Sequence, residues 1–500
     1  MAVIPLSVDR EFVSGIERVF RGKVRDTYIL PNYPGHLLII ASDRISVYDF
    51  VLPSEIPQKG EILTAMNIFW RKEILEEWGY EHDLVSFGSH IDEFLPENLR
   101  SNPELHKRAT VVEKLLMCDF EAIVRGYLTG SGLAAYKETS PHEICGHHLP
   151  DGFTDGSELP FALFTPSTKE REGHDQHVTT DWVIARYGYL PERLSLQLYH
   201  LGKEFSKENG IIIADTKFEL GYEEGRSSKL RFGDEVFTPD SSRFWDVRER
   251  KKAIEDRRSP QSLDKQYIRN WAKTQGVDRR DPKILEDVTF VHALTPPLEV
   301  VNHTYQIYRY IFWRITSKKL ERFQHEDMEI ELRPPLVRLD LVLGSRSDLA
   351  QASAALERLD ILRREGVVAP RVHIVSCHRH PEGLRRYVEE LRDVDVIVAG
   401  AGKAAALPGV LKSWLRFYNK NRIPVIGVAF EGNTAASTLA AKLSIEELPE
   451  QSVLLDDGGD AYVGASGCFD ACERAVMGEF LPEGNWRAFV EPEFDLAVWK

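Results

Sequence analysis

The sequence has few cysteines, no excess of positive charge and no long apolar run, and each shortage excludes a class of protein. Its five cysteines, Cys118, Cys145, Cys377, Cys468 and Cys472, are odd in number and scattered through 500 residues. They supply neither a disulfide framework nor a spaced zinc set. Cys468 and Cys472, four apart, are expected to line one helix face. Lysine and arginine number 63 against 78 acidic residues, a net charge of −15. That balance argues against a general nucleic-acid binder but leaves room for local basic pockets that take phosphorylated small molecules. No run reaches the length of a membrane helix, and the start MAVIPLSVDREF lacks a basic segment followed by an apolar core, so no membrane partner and a reducing cytoplasm are expected. RGKVRD lacks the Walker spacing, and no Ser-His-Asp or Cys-His nucleophile set is evident. What remains is 43% hydrophobic and 28% charged, an ordinary globular composition at a length that suggests two or three domains.

The most informative stretch is 211–246, IIIADTKFELGYEEGRSSKLRFGDEVFTPDSSRFWD. Two runs flank a polar turn, the pattern of a β-hairpin. Asp215, Lys217 and Glu219 recur at every second residue and share one face of the first strand, leaving Thr216, Phe218 and Leu220 on the other. A turn centred on Gly225, Arg226 and Ser227 sets Glu219 roughly opposite Asp234. Facing carboxylates repel unless they are solvated or bridged by a cation. Lys217 brings one positive charge, and Mg²⁺ bound through carboxylate oxygens is a second source. Downstream, Asp240, Ser241, Ser242 and Arg243 crowd a turn with anion-binding chemistry.

This hairpin resembles the D-x-K-x-E…DE…PD-S-S/G-S-R-x-W signature of the SAICAR synthases, purine-pathway enzymes. Other segments resemble the same family in order over about 15–250: RGKVRD, SDRIS, IPQKG, VRGYLTGS and TPSTK. In the amino-terminal lobe (about 1–115) strand and turn patterns suggest a small antiparallel sheet, with Asp43, Arg44, Asp49 and Lys59 presented as polar residues. Residues 61–78 read as an amphipathic helix packed on the core. In the larger lobe (about 116–328) Gly130-Ser131-Gly132 opens a helix whose free N–H groups suit a phosphate, with Arg125 as a clamp. Residues 247–328 are less legible. SLDKQYIRNWAK resembles the family's closing helix region, and an aromatic-rich helix follows, its stripe read as core.

The resemblance implies an α+β two-lobed domain with a kinase- or ATP-grasp-like cleft. It implies ATP-dependent ligation of L-aspartate to a carboxylated aminoimidazole ribotide through a phosphorylated carboxylate. Gly22, Lys23 and Lys169 would serve ATP. Arg125, Ser131, Asp240 and Arg243 would hold the ribotide, and His174, beside Asp175, would be a weaker phosphate contact than Lys169. Lys217, Glu219 and Asp234 would be catalytic, the last two holding Mg²⁺.

The acidic, Pro-Pro-containing stretch at about 329–338 reads as a linker, so the domains are expected at 1–328 and 339–500. Beyond it VRLDLVLGS, RVHIVSC, VDVIVAG and IPVIGVAF alternate with helical stretches, the grammar of a three-layer, flavodoxin-like α/β domain with a parallel sheet. Polar residues fall at the strand ends: Ser345, Ser347 and Asp348, then Ser376, His378 and Arg379, then the turn at Gly400–Gly402. These resemble the GSxSD, SxHRxP and AGAG…LPG motifs of aminoimidazole ribotide carboxylases and mutases, over about 339–480. The resemblance implies His378 as general acid/base for carboxyl transfer, and Ser345, Asp348, Ser376 and Arg379 as ribotide contacts. Arg379 resembles the mutase class. Ala406 stands where the pattern has a second histidine, and Lys403 replaces a glycine. Two readings stay open: an active mutase, and a catalytically degenerate domain that serves oligomerisation or regulation. A homo-oligomer through this domain is expected, with the tail 489–499 packing across a subunit boundary.

Overall fold

The computed structural model describes residues 3–139, 142–169, 176–223, 226–332, 335–448 and 452–481. His174, Asp175, Gly225 and the tail 489–499 lie outside the described residues. The chain divides into two compact units, 1–333 and 334–500.

In the first unit, β1 (Arg18–Arg21), β2 (Arg25–Ile29), β3 (His36–Ala41), β4 (Leu84–Phe87) and β5 (Ala109–Glu113) form an antiparallel sheet ordered β1-β2-β3-β5-β4. Tyr28, Leu38, Ile40, Ala109 and Val111 alternate inward to make its core, as period-2 strands require. Helix α1 (Lys59–Phe69) continues into a π-helical turn, Trp70–Leu75. The expected helix over 61–78 is therefore present with its second half widened. Arg71 and Asn67, four apart, both donate to the Asp234 carbonyl, at 2.6 and 2.9 Å. π-turns of this kind are common at functional sites.

A second sheet carries the hairpin. Its main strands are β6 (Phe120–Leu128), β7 (Ser157–Phe164), β8 (Ile211–Glu223), β9 (Arg226–Gly233) and β10 (Ser242–Asp246). The order β7-β6-β8-β9 is extended by β10 and Leu115–Met117 on β8 and by Ser167–Thr168 on β6. Helix α2 (Gly130–Glu138) leaves β6, α3 (Leu190–Glu208) packs on β8, and the aromatic-rich α4 (Leu298–Thr316) buries Ile307, Tyr308, Ile311 and Phe312.

In the second unit, β11 (Val337–Leu343), β12 (Val368–Ile374), β13 (Val396–Ala401), β14 (Val425–Ala429) and β15 (Tyr462–Val463) form a parallel sheet ordered β12-β11-β13-β14-β15. That order is flavodoxin-like. Leu339, Leu341 and Leu343 face α5 (Leu349–Arg364) on one side, while Val342, Ile397 and Ala399 face α6 (Pro381–Glu390) and α7 (Leu407–Phe417) on the other. Helix α8 (Ala435–Glu446) joins the latter layer, and α9 (Gly464–Met477) buries Cys468 and Cys472 in the former. No helix among the described residues is long and apolar enough to cross a membrane.

Candidate active site

The antiparallel register of β8 arranges the site. Asp215 pairs across the sheet with Arg125 of β6 on one side and Arg243 of β10 on the other. Arg125 Nη1 donates to Asp215 Oδ2 at 2.6 Å, and Arg243 Nη1 donates to the same oxygen. The remaining Arg125 donors reach Thr165 Oγ1 at 3.0 Å and Ser131 Oγ at 2.9 Å. Gly130, which opens α2, has φ +54°, and a Cβ there would collide with the Arg243 guanidinium. The glycine is required both for the turn and for that close approach.

One solvent-open cleft is lined by Arg125, Ser131, Lys217, Asp240 and Arg243 together with Asp215. The ribotide residues expected from sequence therefore lie on one wall with Lys217. Asp240 accepts from Tyr308 at 2.6 Å and pairs with Lys59 at 2.8 Å. Burial would raise its pKa, but Lys59 and Lys265 outweigh burial and hold the carboxyl well below its usual range.

Two residues along β8, Lys217 Nζ reaches Glu121 Oε1 at 2.6 Å. Two further on, Glu219 pairs with Lys169. Glu219 lies opposite Gly233, so Asp234 is one residue past the position directly across. Asp234 has φ +57° and ends the strand, and its carboxylate takes both Arg25 guanidinium nitrogens at 2.7 Å. Burial, joined by the Asp234 charge, pushes the Glu219 carboxyl above its usual range despite Lys169 and Lys217. Burial works the same way on Asp234, yet Arg25 and Lys169 prevail and keep it low. The pair is thus one carboxylate held ionised and one under electrostatic pressure to accept a proton or a cation. Among the described residues, no cluster of three or more His, Cys, Asp or Glu is placed to hold a metal.

Gly22 and Lys23 lie on the β1–β2 turn, where Lys23 pairs with Asp49. Arg44 and Lys59, expected to be presented, are instead fully buried. Arg44 donates to the carbonyls of Lys23 and Gly22 at 3.1 and 3.3 Å and pairs with Asp26 at 2.8 Å, so it braces the turn from beneath.

In the second unit, the expected ribotide residues collect at the carboxyl ends of β11 and β12. Arg379 Nη2 donates to the Gly344 carbonyl at 3.2 Å, its backbone N–H meets Ser376 Oγ at 3.2 Å, and Ser345 accepts from the Ser347 N–H at 3.1 Å. Burial raises the Asp348 carboxyl against the hydrogen bonds of Ser345 and Ser347 and the Arg379 charge. His378 is exposed on the same turn. Lys403 is exposed at φ +59°, and Ala406 immediately precedes α7.

A family model described as SAICAR synthetase matches residues 18–283, more than half of the chain. The chain belongs to the SAICAR synthetase family. A second model, described as AIR carboxylase, matches residues 338–457. The phosphoribosylaminoimidazole-succinocarboxamide synthase of Corynebacterium glutamicum (strain R) is 42% identical over 272 residues, 52% of this chain and 82% of that protein. The synthase of that name from Schizosaccharomyces pombe is 37% identical over 325 residues, 64% of this chain and 99% of its own. Among solved structures, the SAICAR-synthase from Saccharomyces cerevisiae complexed with SAICAR matches with TM-score 0.53 and 33% identity, covering 62% of this chain and 99% of that one.

Sequence reasoning gives no site role to four groups that line the cleft or contact its lining residues. Asp215 shares the alternating face of Lys217 and Glu219, which was its signal. Glu121 precedes Arg125 by four in a strand and so lies on the same face. Lys265 and Arg269 line the cleft, and the stretch SLDKQYIRNWAK marks them through its resemblance to the family.

Proposed function

We propose that the first unit is an ATP-dependent C–N ligase of de novo purine biosynthesis. It joins L-aspartate to 5-amino-1-(5-phosphoribosyl)imidazole-4-carboxylate and yields SAICAR, ADP and phosphate. The observation that carries this reading is the single cleft in which the Arg125–Asp215–Arg243 cluster adjoins Lys217, two residues along β8 from Glu219. A carboxylate is a poor acyl donor until it is phosphorylated. Transfer of the γ-phosphoryl of ATP to a carboxylate oxygen of the ribotide gives an acyl phosphate and ADP. The amine nitrogen of L-aspartate then attacks the acyl carbon, the C–O bond to phosphate breaks, phosphate leaves, and the amine loses a proton. Such chemistry needs positioning and charge neutralisation rather than a protein nucleophile.

In this reading Arg125, Ser131, Asp240 and Arg243 hold the ribotide. Lys23 and Lys169 neutralise the ATP phosphates over the Gly22 turn, in the manner of a kinase- or ATP-grasp-like cleft. Lys217 offsets charge on the transferring group. Glu219 and Asp234 would hold Mg²⁺ through carboxylate oxygens once Arg25 and Lys169 give way to it. Bound there, it would neutralise charge between phosphate and carboxylate. Asp234→Asn tests the assignment: ADP formation is lost while the far-ultraviolet spectrum and unfolding midpoint are kept. Wild-type ADP formation in that variant contradicts it.

For the second unit we infer the preceding carboxyl-transfer step, a mutase moving the carboxyl group from the exocyclic amine to the ring carbon. His378 serves as general acid/base, and Ser345, Asp348, Ser376 and Arg379 hold the ribotide. The AIR carboxylase match and the intact polar cluster at the strand ends support this over a degenerate domain, notwithstanding Lys403 and Ala406. The ring-carboxylated product, followed by ultraviolet absorbance, appears with the wild-type chain and disappears in His378→Asn. Product formed equally by both removes His378 from this role. The reading also includes a cytoplasmic homo-oligomer formed through this unit, consistent with Leu439 and Leu443 exposed one turn apart on α8.

A further inference from the structure

Alternate residues of the segment 165–169 each meet a different part of the first unit's site. Thr165 Oγ1 accepts from Arg125 at 3.0 Å, Ser167 Oγ donates to Glu121 Oε2 at 3.3 Å, and Lys169 pairs with Glu219. Alternate residues of β8 meet two of the same partners, Asp215 with Arg125 and Lys217 with Glu121, while Glu219 takes Lys169 itself. Along β8 strand periodicity makes these rows, because residues i, i+2 and i+4 share a face, and the facing segment is strand only at Ser167–Thr168. The outer rows belong to the ribotide wall and the carboxylate pair. The middle row has Glu121 at its centre, with one oxygen on Lys217 at 2.6 Å and the other on Ser167.

Glu121 is 7% exposed and Ser167 4% exposed, whereas the Lys217 side chain keeps 38% of its surface open. A buried carboxylate carries a desolvation cost that an apolar residue in its place would not. Its strand neighbours Phe120 and Ala122 are both core residues. What Glu121 contributes is a fixed anchor for a long, flexible lysine stem, whose rotamer entropy otherwise has to be lost as the reaction proceeds. Ser167 ties that anchor to the segment that bears Lys169, since Ser167 also pairs with Glu121 through the backbone ladder.

We propose that Glu121 is a positioning residue. It fixes the Lys217 ammonium between the ribotide wall and the Glu219–Asp234 pair, and through Ser167 it keeps the Lys169 segment in register with it. The proposal rests on the ligase reading above.

The test is steady-state kinetics of ADP release on the full chain, comparing wild type, Glu121→Gln, Glu121→Asp and Ser167→Ala. Glu121→Gln keeps the shape but removes the charge, and should lower kcat about tenfold or more with KM for ATP, ribotide and L-aspartate nearly unchanged. Glu121→Asp, which restores the charge, recovers part of that loss. Unchanged kcat in Glu121→Gln, or a loss carried by KM alone, overturns the proposal. If Glu121→Gln does not fold, Ser167→Ala decides: a kcat loss of about threefold at constant KM supports the anchor, and wild-type kcat overturns it. A wild-type chain without aspartate-dependent ADP release instead refutes the ligase reading, so the two failures are distinguishable.

Discussion

Asp215 Oδ2 accepts hydrogen bonds from both Arg125 and Arg243, one from each neighbouring strand. A single carboxylate oxygen thus holds two guanidinium groups at the mouth of the cleft, leaving net positive charge for an anionic ligand.

Replacing Asp215 by Asn leaves the buried Arg125 and the half-buried Arg243 without their counter-charge. Removing one partner of a buried ion pair typically destabilises by about 3 kcal/mol or more. Urea unfolding should show a loss of that size, together with weaker ribotide binding by calorimetry as the two arginines separate. An unchanged midpoint contradicts the bridging role.

Asp264 sits behind the same wall and accepts from the backbone N–H groups of Phe244 and Gln266, at 2.9 and 2.7 Å. Burial nevertheless pushes its carboxyl from 3.8 up to about 6. A folded-state value raised above the unfolded one means that the native state binds the proton more tightly. Stability is therefore lost as pH rises from about 4 to about 6, and the cost is constant above that. Asp264→Asn removes this dependence, so the variant should gain on wild type across that window by up to about 3 kcal/mol. Thermal unfolding at a series of pH values measures it. A gap that narrows with rising pH contradicts the burial argument.

Lys403 holds a left-handed backbone at φ +59° without being glycine. Such a conformation costs an L-residue about 1–2 kcal/mol, partly offset because glycine loses more entropy on folding. Lys403→Gly is expected to stabilise the second unit by about 0.5–1 kcal/mol. Denaturant melts of the two chains compare them directly, and a less stable variant shows that the lysine side chain makes compensating contacts.

The second unit is the more legible from sequence. Its β-branched runs, each followed by polar residues, determine both the parallel sheet and the end of it where Ser345, Asp348, Ser376 and Arg379 gather. The hairpin face was equally readable, since alternation alone groups Asp215, Lys217 and Glu219. What sequence could not supply is burial and local distortion. Arg44 and Lys59 look like surface residues until their partners, the turn carbonyls and Asp240, come from 21 or more positions away. The one-residue offset of Asp234 follows from the hairpin register, which sets Gly233 opposite Glu219, and the π-turn next to Asn67 and Arg71 leaves no trace in a 3.6-residue periodicity. Lys265 and Arg269 sit in a charge-rich stretch where composition does not mark which charges turn inward.

The central claim is that the cleft couples ATP cleavage to amide formation. Its most direct measurement is ADP release by the full chain, given ATP, Mg²⁺ and the ring-carboxylated ribotide, with and without L-aspartate. The account predicts release that depends on L-aspartate and matches the succinocarboxamide formed one for one. ADP released at the same rate without L-aspartate, with phosphate left on the ribotide, contradicts it and makes the first unit a small-molecule kinase.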